Sequence, residues 1–193
     1  TYQQADAASV QIDLQHGPAW NEDQYHSQVQ SCEVNWENDS TLTGHVNNKV
    51  WVDQDYFFVI RFNRPVAETF ELPMQQTEKG KRIVSSFDLK QGDQLMMKIA
   101  LSTTGVEGAK ANMEAEMSGW DFEATRQAAK SDWNSYLSRI EVEGTDDQKT
   151  NFYTSFYHAL IQPNEISDVD GSYRNAADSE KKTTIAKNKS PIS

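Results

Sequence analysis

The spacing of apolar residues changes once along this chain, near residue 103, and that change constrains the fold more than any other feature. Before it, apolar side chains alternate with polar ones. The alternation runs through SVQIDLQ, SCEVNW, TLTGHV (41–46), KVWVD (49–53), DYFFVIRF (55–62), ETFEL (68–72), RIVSSFDL (82–89) and QLMMKIAL (94–101). A period of two with β-branched and aromatic content marks half-buried strands. Between the runs lies turn chemistry: Glu37-Asn38-Asp39-Ser40, Asn47-Asn48, Asn63-Arg64-Pro65, Glu78-Lys79-Gly80-Lys81 and Gln91-Gly92-Asp93. Eight short strands with no helical pattern between them predict an antiparallel sandwich rather than a parallel sheet.

After residue 103 the period becomes helical. Residues 105–117 read as a short helix. A second is expected to start near Ser118, where Ser118-Gly119-Trp120-Asp121 has the spacing of a capping box. Phe122, Thr125, Ala129, Trp133, Tyr136 and Ile140 then recur at helical spacing. A short extended piece, Ile140 to Gly144, leads to a second capping box, Thr145-Asp146-Asp147-Gln148, whose carboxylates suit the positive end of a helix. The helix that follows carries Phe152, Tyr153, Phe156, Tyr157, Leu160 and Ile161 and stops at Pro163. That stripe is too wide for a helix lying on a protein surface. Its natural neighbours are other helices, which this sequence is expected not to supply. The Lys-rich stretch from Ala176 to Ser193 reads as a mobile loop or a severed connection.

Charge and composition narrow the function. With 18 basic and 29 acidic side chains, the net charge of −11 repels phosphate backbones and argues against nucleic acid as a partner. No stretch approaches the roughly 18 apolar residues of a membrane span. Cys32 stands alone, so neither an internal disulfide nor a cysteine zinc cluster is expected. The chain opens without Met in polar sequence, as a processed chain or fragment would.

The order of pieces resembles glycoside hydrolase family 92, the bacterial exo-α-mannosidases. The matching stretches are Gly44 and Trp51, Tyr56-Phe57 through Phe62 and Pro65, then residues 100–117, GWDFEATRQAAKSDWNSYLSRIEVEG at 119–144 and DQKTNFYTSFYHALIQPNEISDVDGSYR at 147–174. The last two are the most specific. The resemblance implies a mainly β chain with C-terminal helices: part of an N-terminal antiparallel β-sandwich (1–103), a helical linker (104–144), then the first helix and following loop of an (α/α)6 barrel (145–193). It implies calcium-assisted, inverting hydrolysis of α-mannosides, of the α-1,2 type, on mannose-containing glycans. It also implies export to the periplasm or cell surface. Inversion uses an acid and a base about 6.5–9.5 Å apart, with water between them. In the family these lie deep in the barrel, so none is expected in this chain. Its partners would be the glycan and the remainder of the barrel, and the isolated chain would be inactive, with calcium held by parts outside it.

Several local candidates follow. Asp168-Val169-Asp170-Gly171-Ser172 resembles half of a calcium loop. The favoured alternative is an Asp-rich turn. The resemblance places this loop near the substrate end of the barrel, which makes Asp168, Asp170, Tyr173 and Arg174 candidates for the sugar cleft. The pairs Glu114/Glu116, Glu141/Glu143 and Asp146/Asp147 read as solvated faces or helix N-terminal charge rather than catalytic dyads. His16, His26, His45 and His158 form no ligand pair at i, i+2 or i, i+4. His158 is read as partly buried, with a sugar hydroxyl contact as the sharper alternative. Of the Trp residues, Trp51 and Trp133 read as core, while Trp20 and Trp36 border loops and are the exposed candidates for stacking on sugar. A different class remains open: a free-standing carbohydrate-binding or scaffolding module, which would have to cover the 152–161 stripe itself.

Overall fold

The computed structural model describes residues 8–15, 29–49, 53–73, 79–162, 164–175 and 178–184. Two compact units are present, Thr1–Ser118 with Ser167–Ser193, and Gly119–Ile166.

The first unit is built on seven strands: β1 (Ala8–Asp13), β2 (Val29–Trp36), β3 (Thr41–Lys49), β4 (Asp53–Phe62), β5 (Glu68–Glu71), β6 (Arg82–Phe87) and β7 (Met97–Ser102). They form two antiparallel sheets, β1-β6-β5 and β2-β3-β4-β7. The mainly β expectation and the sandwich are therefore met. One expected strand is not. Lys49 pairs with Asp53 across β3 and β4, so the ends of the run 49–53 lie on opposite strands. Asn47-Asn48, read as a turn, is the continuation of β3. Cross-strand pairing with Asp55 and Gln54 outweighs the turn preference of Asn there. The turn at 37–40 does form: Asn38 Oδ1 accepts from Ser40 N at 2.9 Å, and Glu37 N donates to Thr41 O.

Alternation sets two faces on the four-stranded sheet. Leu42 and Val46 of β3, with Phe58, Ile60 and Phe62 of β4, face the other sheet, where Ala8, Ile12, Ile83 and Phe87 meet them. Phe62 and Phe87 approach to 4.9 Å between ring centroids. Each large side chain buried this way contributes about 1.5–3 kcal/mol. The opposite face carries Val59 and Ala100, covered by Ala109 and Met113 of helix α1 (Val106–Glu116). Lys98 shares that face and is almost buried. Its ammonium donates to the carbonyls of Met117 and Ser118 at 2.5 and 3.2 Å, satisfying the chain just past the end of α1. A two-stranded hairpin completes the unit: β8 (Ser172–Asn175) and β9 (Asp178–Thr184). This corrects the expectation of an unpatterned loop from Ala176 onward, because backbone pairing with β8 gives 178–184 order that a Lys-rich composition does not announce. Residues 185–193 lie outside the described residues.

The second unit holds α2 (Phe122–Leu137) and α3 (Asp146–Leu160). The cap of α2 is Asp121, which accepts from Ala124 N at 2.9 Å, so the capping box expected at Ser118 is not the start of this helix. At α3 the box Thr145/Gln148 is present in both directions, as its spacing predicts. Trp133 of α2 packs on Tyr157 of α3 at 4.5 Å between centroids, and the Tyr153 hydroxyl donates to Ile140 O at 3.0 Å. No residue of either helix is fully buried. Tyr157, Leu160 and Ile161 remain 37–40% exposed. No described helix is long and apolar enough to cross a membrane.

Candidate functional site

One polar cluster lies on the α1-covered face of the four-stranded sheet. On β3 that face presents His45 and Asn47, and on β4 it presents Asp53, Asp55 and Phe57, because His45 pairs with Phe57 and Asn47 with Asp55. Ser102 of β7 joins them through its pairing with Phe57. Cross-strand neighbours on one face are within side-chain reach. His45 stacks on Phe57 at 4.6 Å, and its Nε2 lies 2.6 Å from Asp55 Oδ1. The Asn47 amide donates to Asp53 at 2.6 Å and to Asp55 at 2.8 Å. Arg174 of β8 reaches the other oxygen of Asp55 at 2.8 Å. Burial by itself would raise the Asp55 carboxyl. The hydrogen bonds from Asn47 and His45 and the Arg174 charge outweigh it and hold this group below the usual carboxylate range.

A second polar knot sits where β7 gives way to α1. Asp168 is 6% exposed. Its Oδ2 accepts from the Ser102 hydroxyl at 2.8 Å and the Thr104 hydroxyl at 2.5 Å, and its Oδ1 accepts from the Asn112 amide at 2.8 Å. Asn112 also accepts from Val169 N at 2.9 Å and donates to Leu101 O at 2.9 Å. This crowding needs a glycine at 108: a Cβ there would stand 2.5 Å from Asp168 Oδ2 and 2.6 Å from Ser102 Oγ. Beyond Asp168 the chain turns tightly. Gly171 N donates to Asp168 O at 2.7 Å, and Ser172 N donates to Asp170 Oδ1 at 2.8 Å. The segment 168–172 is therefore an Asp-rich turn. Both Asp168 carboxylate oxygens and Asp170 Oδ1 accept hydrogen bonds from protein donors. Among the described residues no three His, Cys, Asp or Glu side chains gather as a metal cage.

Comparison with known proteins gives these knots a context. The glycosyl hydrolase family 92 N-terminal domain matches residues 1–102, more than half of the chain. The chain belongs to glycosyl hydrolase family 92. The family 92 catalytic domain matches residues 108–190 of the same chain. No curated protein matches it. Among solved structures, the family 92 α-mannosidase BT3965 of Bacteroides thetaiotaomicron is similar at 23% identity and a TM-score of 0.80, over 96% of this chain and 26% of that one. The inverting mannosidase BT2199 of the same species is similar at 22% identity and 0.79, over 95% and 25%. The family 92 hydrolase ccman5 is similar at 20% identity and 0.68, over 86% and 23%. At these identities the likeness establishes the fold. The family 92 chain spans about a quarter of the length of each of these structures.

The two polar knots span the two family domains. Ser102, His45, Asn47 and Asp55 lie in the N-terminal match, while Asn112, Asp168 and Arg174 lie in the catalytic match. The sequence candidates fall out as follows. Asp168, Asp170, Tyr173 and Arg174 are brought together on one short segment, with Asp168 buried and Arg174 16% exposed. His158 is exposed on α3, which corrects the expectation of partial burial. Its helix position turns it out beside Tyr157, 5.8 Å away. Trp36 is not an open platform. It faces the sandwich core beside Val34 and stacks on Phe62 at 6.4 Å. Trp36 is half-buried because it shares the inward parity of Cys32 and Val34. Trp20 lies outside the described residues, as do Trp51, His16 and His26. Sequence reasoning missed His45, Asn47, Asp55, Ser102, Thr104 and Asn112. The spacing His45-x-Asn47 and Asp53-x-Asp55-x-Phe57 does place each set on one strand face, but which strands are neighbours is not written in that spacing.

Proposed function

We propose that this chain is the sandwich, linker and opening barrel segment of an inverting exo-α-mannosidase of the α-1,2 type. It would brace the barrel and contribute one wall of the sugar pocket. The observation that carries this reading is the succession of the family 92 N-terminal and catalytic domains within one polypeptide, at 1–102 and 108–190. Two of the solved relatives are mannosidases, and BT3965 has also been solved with mannoimidazole. The acid and base are sought in the barrel outside this chain. Here two carboxylates with three partners each are engaged elsewhere, Asp55 by Arg174, His45 and Asn47, and Asp168 by three side-chain donors. Calcium assistance belongs to the same reading, with ligands other than the 168–172 turn. So does export to the periplasm or cell surface.

The open apolar side of α3 favours this reading over a free-standing carbohydrate-binding module. A solitary module would have to cover Tyr157, Leu160 and Ile161. The test is hydrolysis of α-1,2-mannobiose by the full protein, followed by NMR. β-Mannose as the first product is expected, with activity lost in EDTA and restored by calcium. The α-anomer first, or no mannose at all, overturns the reading. The 193-residue chain by itself is expected to be inactive, and mannose release by it would overturn the division of roles.

A further inference from the structure

Strand β7 closes one side of the four-stranded sheet with an apolar edge. Its side chains alternate between faces. Lys98, Ala100 and Ser102 lie on the α1 side, while Met97, Ile99 and Leu101 stand on the sandwich side, next to their pairing partners Phe62, Ile60 and Phe58. Those three partners are buried in the core, yet Met97, Ile99 and Leu101 are 43, 46 and 56% exposed. The three-stranded sheet therefore covers β4 and stops short of β7. The backbone runs in the same phase. Asn63 N donates to Met96 O at 3.1 Å, and hydrogen-bonded pairs alternate along an antiparallel ladder. Lys98, Ala100 and Ser102 thus exchange bonds with β4, and Met97, Ile99 and Leu101 turn their N–H and C=O groups outward. Among the described residues, that side of β7 pairs with no strand and is met by the Asn112 amide on Leu101 O, at 2.9 Å.

The opposite edge of the same sheet is built differently. There β2 exposes Gln30, Ser31, Glu33 and Asn35. Polar and charged side chains of this kind discourage an edge from pairing. The charge that β7 carries, Lys98, is turned inward onto the carbonyls of Met117 and Ser118 and guards nothing. Resting on the reading above that this chain is one segment of a longer enzyme, we propose that β7 is an acceptor edge. A further β-strand of the same polypeptide, from outside these residues, pairs with it and extends the four-stranded sheet. Length favours this occupant, because the chain spans about a quarter of each solved relative and leaves ample sequence to supply a strand. The incoming strand carries apolar residues at alternate positions, beside Met97, Ile99 and Leu101, and its backbone bonds the outward groups of those three.

The test is residue-resolved amide exchange. In the full protein, the amides of Met97, Ile99 and Leu101 are expected to exchange as slowly as those of Lys98 and Ala100. In the 193-residue chain the same stretch is expected to alternate, with the three outward amides fast and the inward ones slow. Alternation in the full protein overturns the proposal. So does protection already complete in the 193-residue chain, and so does protection that fades on dilution, the mark of a second copy. Ile99→Lys sets a charge in the pairing face and is expected to lower the Tm of the full protein. An unchanged Tm means that the row stays in water, and the proposal fails. Mannose release is measured separately: a full protein that protects these amides but cleaves no mannoside overturns the mannosidase reading and leaves the strand pairing intact.

Discussion

The ring of Phe58 occupies the space that a side chain on Gly44 would need: a Cβ at that position would stand 2.3 Å from Phe58 Cζ and 2.4 Å from the carbonyl oxygen of Glu33. The glycine is required by packing between β2, β3 and β4. Gly44→Ala must displace either a core ring or a backbone carbonyl, and overpacking of this kind costs about 1–3 kcal/mol. A urea titration should show the midpoint falling with an unchanged slope. An unshifted midpoint would mean that the sheet yields freely at this point.

Cys32 faces the core from β2 and is half-buried. Burial pushes its thiol from the ordinary 9.0 up to about 11, against a smaller opposing pull from the Lys81 charge. Only the thiolate reacts quickly. The alkylation rate of the folded protein should therefore keep climbing with pH toward 11, whereas in urea it should level off above 9. Between those values the folded state holds a proton that the unfolded state has lost, so stability falls as pH rises. Cys32→Ala should flatten that part of the stability–pH curve.

Asp55 gives the opposite slope. Its carboxyl is held below the ordinary 3.8 by Asn47, His45 and Arg174, despite burial that pushes the other way. The stability this confers is present above the unfolded value and lost as acid titrates the folded group. Melting temperatures measured downward from neutral pH should drop more steeply for the wild type than for Asp55→Asn once the pH passes below the ordinary carboxylate range. Parallel curves would show that these contacts contribute nothing to acid sensitivity.

Helix α3 depends on its first turn. The Thr145 hydroxyl accepts from Gln148 N at 3.3 Å, and Gln148 Oε1 accepts from Thr145 N at 2.9 Å. Thr145→Ala removes one half of this reciprocal cap, a loss of about 1 kcal/mol. Amide exchange at residues 147–150 should accelerate several-fold while exchange in the β-sheets stays as it was. Equal acceleration everywhere would point to global rather than local unfolding.

The fold buries Lys98 to 8% exposure, with its ammonium on the carbonyls of Met117 and Ser118. Lys98→Met keeps the packing stem and removes the donor. The carbonyls left behind cost about 1–3 kcal/mol. The loss should appear as faster exchange in the last turn of α1.

Much of this architecture was legible in residue order. Period two in DYFFVIRF and RIVSSFDL sets β4 and β6, and the helical recurrence of Phe152, Phe156 and Leu160 sets α3, because each follows from the direction in which neighbouring side chains leave the backbone. Thr145-x-x-Gln148 marked a helix start correctly because a cap is a local bond between residues three apart. The start of α2 was misplaced because Ser118 and Asp121 offer the same chemistry, and only the path of the backbone selects Asp121.

The polar site was settled elsewhere. His45, Asp55 and Arg174 are far apart in sequence, as are Ser102, Asn112 and Asp168, and no periodicity links them. The sequence by itself determined which face of each strand or helix a residue occupies. Only the tertiary structure decided which faces meet, because strand pairing and the return of the chain at Ser167 are non-local contacts selected by the free energy of the whole fold. For the same reason, the role of Arg174 could be read only after Asp55 was found beneath it.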